Sequence, residues 1–238
     1  MNFDKDIEKY LSGSEFTDAL NCTIAKKEKS IPFRIEFIES VITGKRIIHM
    51  GCVDHLPIIE EKIKKNTWLH NRLVEKSEFC LGIDINEEGI DHMKKMGYPD
   101  VICHNIIEDI PCPEIINTKW DYMIMGEILE HVDNPVMFLS SIKEKYSGCI
   151  DKIIITVPSA FRYVNFKYIL KGIEKINSDH RYWFTPYTLA KIVSSAGLKV
   201  ESFQMCETDE FSKSGFVKKF VLKRYPGLRD ILLMIIKV

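Results

Sequence analysis

Three short segments hold the residues whose types and spacing suit chemistry. Trp120–Pro135 runs from an apolar stretch into Gly126, Glu127, Glu130 and His131. On a helical turn starting near Glu127, positions 127, 130 and 131 would share one face, as i, i+3 and i+4 neighbours do. Imidazole titrates near neutrality, so His131 suits proton transfer, or a structural hydrogen bond. Glu130 reads first as a solvated or helix-capping carboxylate. Glu127 and His131 are also spaced to converge on a divalent ion, but no third ligand is identifiable, and no metal set is assigned. The second segment, Ser178–Pro186, brings His180 and Arg181 just ahead of a helix start in which Thr185 is the N-cap and Pro186 the first helical residue. Either could meet a hydroxyl or an anionic group. Trp183 and Phe184 beside them read as core. The third, Phe79–Asn86, is a buried strand ending in Asp84, an acid that can accept hydrogen bonds from a pair of hydroxyls. Its other reading is an N-cap for the helix that follows, a role Asn86 can also fill.

Apolar runs alternating with helical stretches imply βαβ units and a mostly parallel sheet. Strands are expected near 45–50, 79–84, 100–104, 120–125, 151–157, 199–206 and 216–223. Helices are expected near 32–42, 87–96, 134–146, 186–196 and 227–236. Gly44 separates the first helix from the first strand, and Pro135 suits a first helical turn. The whole chain, 1–238, reads as one α/β domain, with residues 1–42 a helical cap and 159–184 an aromatic-rich insertion on the acceptor side. Such loops carry substrate contacts on a rigid sheet.

The 238 residues carry 33 basic and 34 acidic side chains, so no overall field favours nucleic acid or an acidic membrane. Seven cysteines lack any CxxC spacing, and Cys52, Cys80 and Cys103 lie in or beside apolar runs. Buried reduced thiols in a cytoplasmic protein are expected. The first residues lack the apolar core of a signal peptide. The late run Ile231–Ile236 is far shorter than the roughly twenty residues that span a bilayer. It reads as a C-terminal helix packed on the domain or on a second copy, so a homodimer is a candidate state.

Arg46–His55 is an apolar strand running into a turn at Gly51. Taken with the segments above, it resembles class I S-adenosylmethionine-dependent methyltransferases. Trp120–Pro135 is similar to their "fDhhhhsEVLEHvxdP" run, and Val101–Ile106 to their "hhxgDh", with Asn105 at the acidic position. His180–Leu198 is similar to "H...WFTP.TL..hh..aGF". Their usual "hhDhGCGxG" is matched here only at Gly51 and Cys52: His49 replaces the acid, and Val53 and His55 replace the later glycines. "GCVDH" with Trp68-Leu69-His70 is closer to a subset associated with sugars and surface glycans.

The resemblance, spanning residues 45–206, implies a three-layer Rossmann-like sandwich with a seven-stranded sheet whose seventh strand is antiparallel; the tail from Leu198 to Lys223 would form the last hairpin. It implies S-adenosylmethionine as cofactor, bordered by Gly51, Cys52, Asp84 on the ribose, Ile85, Asn105 on the adenine amino group, Ile106, Gly126 and Glu127. Asn105 reads equally as a polar turn residue. His131 or His180 would be the catalytic base. His70, Arg181 and Tyr163 are candidate contacts to a small polar acceptor, a sugar or a phosphorylated metabolite, in polysaccharide biosynthesis; His70 with Trp68 reads equally as part of a buried helix. The expected reaction is methyl transfer to an oxygen. Two alternatives stand: a non-catalytic scaffold that binds the same cofactor, and an NAD-dependent oxidoreductase. The latter is suggested by the Tyr163-x-x-x-Lys167 spacing and opposed by the missing phosphate-binding glycines.

Overall fold

The computed structural model describes residues 1, 3, 5–26, 28–54, 56–208 and 216–238. Its strands are β1 (Arg46–Met50), β2 (Phe79–Asp84), β3 (Val101–Cys103), β4 (Trp120–Gly126), β5 (Ile150–Pro158), β6 (Lys199–Cys206) and β7 (Ile231–Lys237). They form one sheet in the order β3-β2-β1-β4-β5-β7-β6. β1 pairs in parallel with β2 and β4, and β2 with β3, while β6 and β7 are antiparallel. This is the Rossmann-like, seven-stranded, mostly parallel sheet expected from the sequence. Sequence order reverses between β1 and β4, and sheets of this kind bind ligands beyond the carboxyl ends of such strands.

Two compact units are distinguishable along the chain. One comprises Ile35–Gly126 and Ser141–Ile154 with Val238. Its core includes Cys52, Ile59, Trp68, Ile90, Met93 and Val101. Strands such as Arg46–Met50 and Phe79–Asp84 are continuous buried runs, as parallel strands covered on both faces must be. Helix Glu87–Lys95 starts at Asn86, whose side chain accepts from the Gly89 amide at 2.9 Å. Acidic Glu87 and Glu88 in its first turn, with His92, Lys94 and Lys95 in its last, oppose the helix dipole. Asn86, rather than Asp84, is therefore the cap. Helices Leu56–Lys64 and Leu69–Lys76 fill 56–76, where the sequence reading placed no elements.

The other unit comprises Met1–Arg34, Glu127–Ser140 and Ile155–Lys237. Helix Pro186–Ser195 opens on a capping box between Thr185 and Thr188 and buries Leu189, Ala190 and Val193. The C-terminal assignments are corrected here. The expected strand at 216–223 is a helix, Phe216–Arg224, and the expected helix at 227–236 contains strand β7. Ile231–Ile236 is buried throughout, paired with β6 from Cys206↔Ile231 to Lys199↔Lys237, so the apolar run is sheet interior and offers no face to a second copy. Arg229 beneath it is fully buried, donating to the Met205 and Leu222 carbonyls and to Glu28 at 2.5 Å. No helix among the described residues is long and apolar enough to cross a membrane. Cysteines 52, 80 and 149 are buried free thiols as expected and Cys206 is buried with them, but Cys103 is exposed at the end of the short edge strand β3.

Candidate active site

The end of β1 and the end of β2 lie side by side. Gly51 sits at φ +69°, a left-handed conformation natural to glycine. The turn after it is fully engaged: the Gly51 and Cys52 amides donate to the Ile83 carbonyl at 2.8 and 3.2 Å, and the Val53 amide to Asp84 Oδ2 at 2.9 Å. Asp84 Oδ1 accepts from the Asn86 amide at 3.0 Å. The carboxylate is half-buried, and each oxygen keeps acceptor capacity for a ligand hydroxyl. Ile85 next to it is 72% exposed, an apolar side chain turned to solvent just past the acid.

The glycine missing at position 53 has a counterpart elsewhere. A Cβ on Gly89, in the first turn of the following helix, would lie 2.4 Å from Val53 Cγ1. Val53 thus occupies room that Gly89 leaves open. Gly82 on β2 is equally confined, with Val101, Cys52 and His70 side chains 2.8–2.9 Å from where its Cβ would stand.

Several candidates of this unit sit apart from any ligand surface. Cys52 is 1% exposed, and burial drives its thiol far above the ordinary value, so only its backbone is positioned to contribute. Ile106 is buried. His70 is 1% exposed, bonded ring to ring with His49 at 3.1 Å and enclosed by Trp68 and Tyr98. Burial holds its pKa down to about 4, so the structure makes it a neutral core imidazole instead of an acceptor contact. Asn105 is the turn residue of its two readings. Its carbonyl oxygen accepts from the Ile107 and Glu108 amides at 3.1 and 3.2 Å, which fills both lone pairs and leaves none for an adenine amino group. His55 lies outside the described residues.

The other unit gathers Glu127, Glu130, His131 and His180. The expected shared helical face is replaced by a sharper device. Glu127 takes φ +58°, its amide donates to the Thr156 carbonyl at 2.8 Å, and a single 3-10 turn, Leu129–His131, follows. A left-handed non-glycine residue costs roughly 1–3 kcal/mol, a strain that collects at functional sites. Arg34 Nη1 bonds Glu127 Oε2 at 2.7 Å.

Glu130 differs from the solvated carboxylate the sequence suggests. It is 0% exposed, and neither oxygen has a hydrogen-bond partner among the described residues. Burial raises its pKa to about 8; its own backbone amide, near it but outside hydrogen-bond geometry, offsets this, Glu127 adds to it, and Arg34 opposes it. His131 Nδ1 lies 2.9 Å from Asp179 Oδ2. The His131 and His180 rings meet edge-on, 4.7 Å between centroids. His180 is half-buried with its Nδ1 unpartnered; burial, then the neighbouring His131, lowers its pKa.

Arg181 explains how loop and turn meet. Its amide donates to the Glu130 carbonyl at 2.8 Å, its Nη1 to the His131 carbonyl at 2.5 Å, and its Nε pairs with Asp133 at 2.5 Å. Tyr182 adds a bond to the Asp133 carbonyl at 2.7 Å. The structure uses Arg181 as a clamp, where an acceptor contact was expected. The participation of Asp179 and the burial of Glu130 are long-range outcomes; the acid beside His180 was their only local signal.

The insertion 159–184 closes on itself through the Ser159↔Phe184 bridge. Inside it lies a cavity of about 400 Å³ lined by Phe161, Phe166, Ile169 and Trp183 with polar Asn165 and Glu174. Trp183 also stands edge-on to His180, 6.3 Å between centroids. Phe184 is core, as expected. Tyr163, half-buried, opens helix Tyr163–Ile169 and is not among the cavity residues.

No family model matches the chain, and no curated protein sequence matches it. Solved structures do. Magnesium protoporphyrin IX methyltransferase from Synechocystis PCC 6803 with bound SAH is 11% identical at TM-score 0.54, covering 85% of this chain and 81% of that one. A SAM dependent methyltransferase from Aquifex aeolicus is 14% identical at TM-score 0.50, covering 87% and 90%. A cyclopropane-fatty-acyl-phospholipid synthase-like protein from Lactobacillus casei ATCC 334 is 14% identical at TM-score 0.50, covering 86% and 89%. Likeness at such identities is one of architecture, and the seven-stranded Rossmann-like sheet of this chain is what it shares with these proteins.

Proposed function

We propose that the chain is an S-adenosylmethionine-dependent methyltransferase that methylates an oxygen of a small polar acceptor, with a sugar or surface-polysaccharide precursor as the acceptor class. One observation carries the cofactor reading. The three amides following β1 are spent on Ile83 and Asp84, so the turn offers no cradle for a pyrophosphate, while Asp84 keeps acceptor capacity for a ribose. Dinucleotide sites need those amides free at a helix N-terminus. Asp54 in the same turn pairs with Lys62 at 2.5 Å, so that lysine is engaged by a carboxylate instead of being offered to a phosphate. A phosphate-free nucleoside with a sulfonium fits; NAD does not. Gly51 gives backbone access to the methionine end, and Ile85 offers an apolar face to the adenine.

When bound, the cofactor supplies an electrophilic methyl group. The chain must hold the acceptor and take its proton as the C–O bond forms. His131, oriented by Asp179, and His180 beside it are the groups for that proton. The cavity suits a sugar, whose C–H faces pack on Phe161, Phe166 and Trp183 while hydroxyls meet Asn165 and Glu174. Isothermal titration with S-adenosylmethionine, S-adenosylhomocysteine and NAD tests the reading. Micromolar affinity, about −8 kcal/mol, is expected for the two sulfur compounds only. Binding of NAD alone would refute it.

A further inference from the structure

We infer that Glu130, His131 and His180 form a binding site for a divalent transition-metal ion. One ligand atom from each lies within 4.8 Å of the other two. Ligands about 2.1 Å from a common ion stand about 3.0–3.4 Å apart, so small side-chain rotations close the set. Two imidazoles and a carboxylate form a donor set suited to Zn²⁺, Mn²⁺, Fe²⁺ or Co²⁺ and poorly suited to Mg²⁺ or Ca²⁺, which take oxygen ligands.

Two independent observations point to a bound cation. Glu130 is fully enclosed, yet both its oxygens lack hydrogen-bond partners among the described residues, as does the enclosed His180 Nδ1. A buried carboxylate without donors is costly, and an ion held by both neighbouring imidazoles removes the cost. The second observation is Asp179 on His131 Nδ1 at 2.9 Å, which leaves Nε2 for the ion. Histidine ligands characteristically donate their other nitrogen to a carboxylate in this way. The Arg181 clamp fixes the 3-10 turn against the loop, so the ligands are held by two tied backbone segments.

Three protein ligands leave open positions for an oxygen of the acceptor. For that use, though not for ion binding itself, the inference rests on the methyl-transfer reading. A hydroxyl held on the ion releases its proton to water more readily. Its oxygen pair then forms the C–O bond as the methyl–sulfur bond breaks, and sulfur keeps the bonding pair as S-adenosylhomocysteine. With the ion bound, His131 and His180 serve as its ligands and the proton passes to water; in the ion-free protein they are the proton acceptors proposed above.

The test uses the whole chain stripped with EDTA. Mn²⁺ binding is followed by the electron paramagnetic resonance of the free ion, and Zn²⁺ by calorimetry, since exposed Cys103 makes Zn²⁺ alone ambiguous. One ion per chain is expected, with a melting temperature that rises with ion concentration. Glu130→Gln and His180→Ala should weaken binding about 100-fold or more, and Asp179→Asn about tenfold, in keeping with the weight of a ligand and of its supporting carboxylate. Asp179→Asn lies on an exposed loop and keeps the test decisive should a buried variant fail to fold. Variants that bind Mn²⁺ like the parent, or a parent that binds none, would overturn the site. An ion without S-adenosylmethionine affinity supports the site and overturns methyl transfer; cofactor affinity without an ion does the reverse.

Discussion

Replacing Asp84 separates the duty its carboxylate has in the structure from the one proposed for it in the complex. In the protein it braces the turn, accepting the Val53 amide at 2.9 Å and the Asn86 amide at 3.0 Å. In the proposed complex it also accepts ribose hydroxyls. Hydrogen bonds to a charged group contribute roughly 1.5–3 kcal/mol each, with the lower end apt for a half-buried acid. Asp84→Ala removes two of them and should cost about 3 kcal/mol of stability. Asp84→Asn keeps one acceptor oxygen but turns an NH2 group towards the other amide, and should cost about half as much. For the cofactor, loss of one or two charge-assisted bonds corresponds to roughly 10- to 100-fold weaker binding. Urea unfolding at pH 7 reads the first duty and isothermal titration with S-adenosylmethionine the second. A destabilised Asp84→Ala that binds S-adenosylmethionine with parental affinity would refute the ribose role and leave only the brace; unchanged stability would refute the brace.

Gly89→Ala should destabilise by about 1–3 kcal/mol, because its Cβ would meet Val53 Cγ1 at 2.4 Å. The double variant with Val53→Gly should be more stable than the sum of the single changes by about 1 kcal/mol or more, measured by urea unfolding; strict additivity would show that the two residues do not share that space. His70, held at about 4 against an ordinary 6.5, is protonated more readily when the chain unfolds, so its share of stability is intact above pH 6.5 and lost as pH falls towards 4, about 3 kcal/mol in all. Unfolding titrations at pH 7 and 4.5 should show a smaller acid loss in His70→Gln than in the parent, and equal losses would contradict it. Glu28→Ala leaves the fully buried Arg229 without its carboxylate partner and should cost about 3–5 kcal/mol by chemical denaturation, whereas a change under 1 kcal/mol would mean that the backbone carbonyls suffice.

The sheet was legible up to β6 because its strands are short apolar runs beside turn residues, and two of the helices between them open on a cap, Asn86 and Thr185, whereas Leu69–Lys76 opens without a side-chain cap and was missed. The tail was not. Ile231–Ile236 has no period at all, and Leu and Met favour helix in isolation, so local preference pointed the wrong way. Burial on both faces of a sheet decides it: a strand enclosed on both sides must be apolar throughout. The reverse error at Phe216–Arg224 has the same root. A segment rich in Val, Phe and Lys satisfies either period when only nine residues long, and its state depends on the β6–β7 pairing that displaces it from the sheet.

The two groups of candidate residues differ in legibility for a related reason. Asp84 and Gly51 are set by neighbours in sequence, a strand end and the turn beside it, so residue type and position suffice. The Glu130, His131 and His180 cluster depends on Arg181, whose side chain reaches His131 and Asp133 across about fifty residues of chain. A lone histidine with a glutamate beside it in sequence is ordinarily a surface pair. Its meaning changes once the clamp encloses the glutamate and brings a second imidazole edge-on to the first. The same logic explains why the incomplete glycine motif misleads when read as letters. What matters at β1 is where the amides point, and with all three committed to Ile83 and Asp84 the second and third glycines have no phosphate to approach. A side chain such as Val53 is then free to fill the space over Gly89, and the turn gains packing against Ile90 and Met93 of the same core.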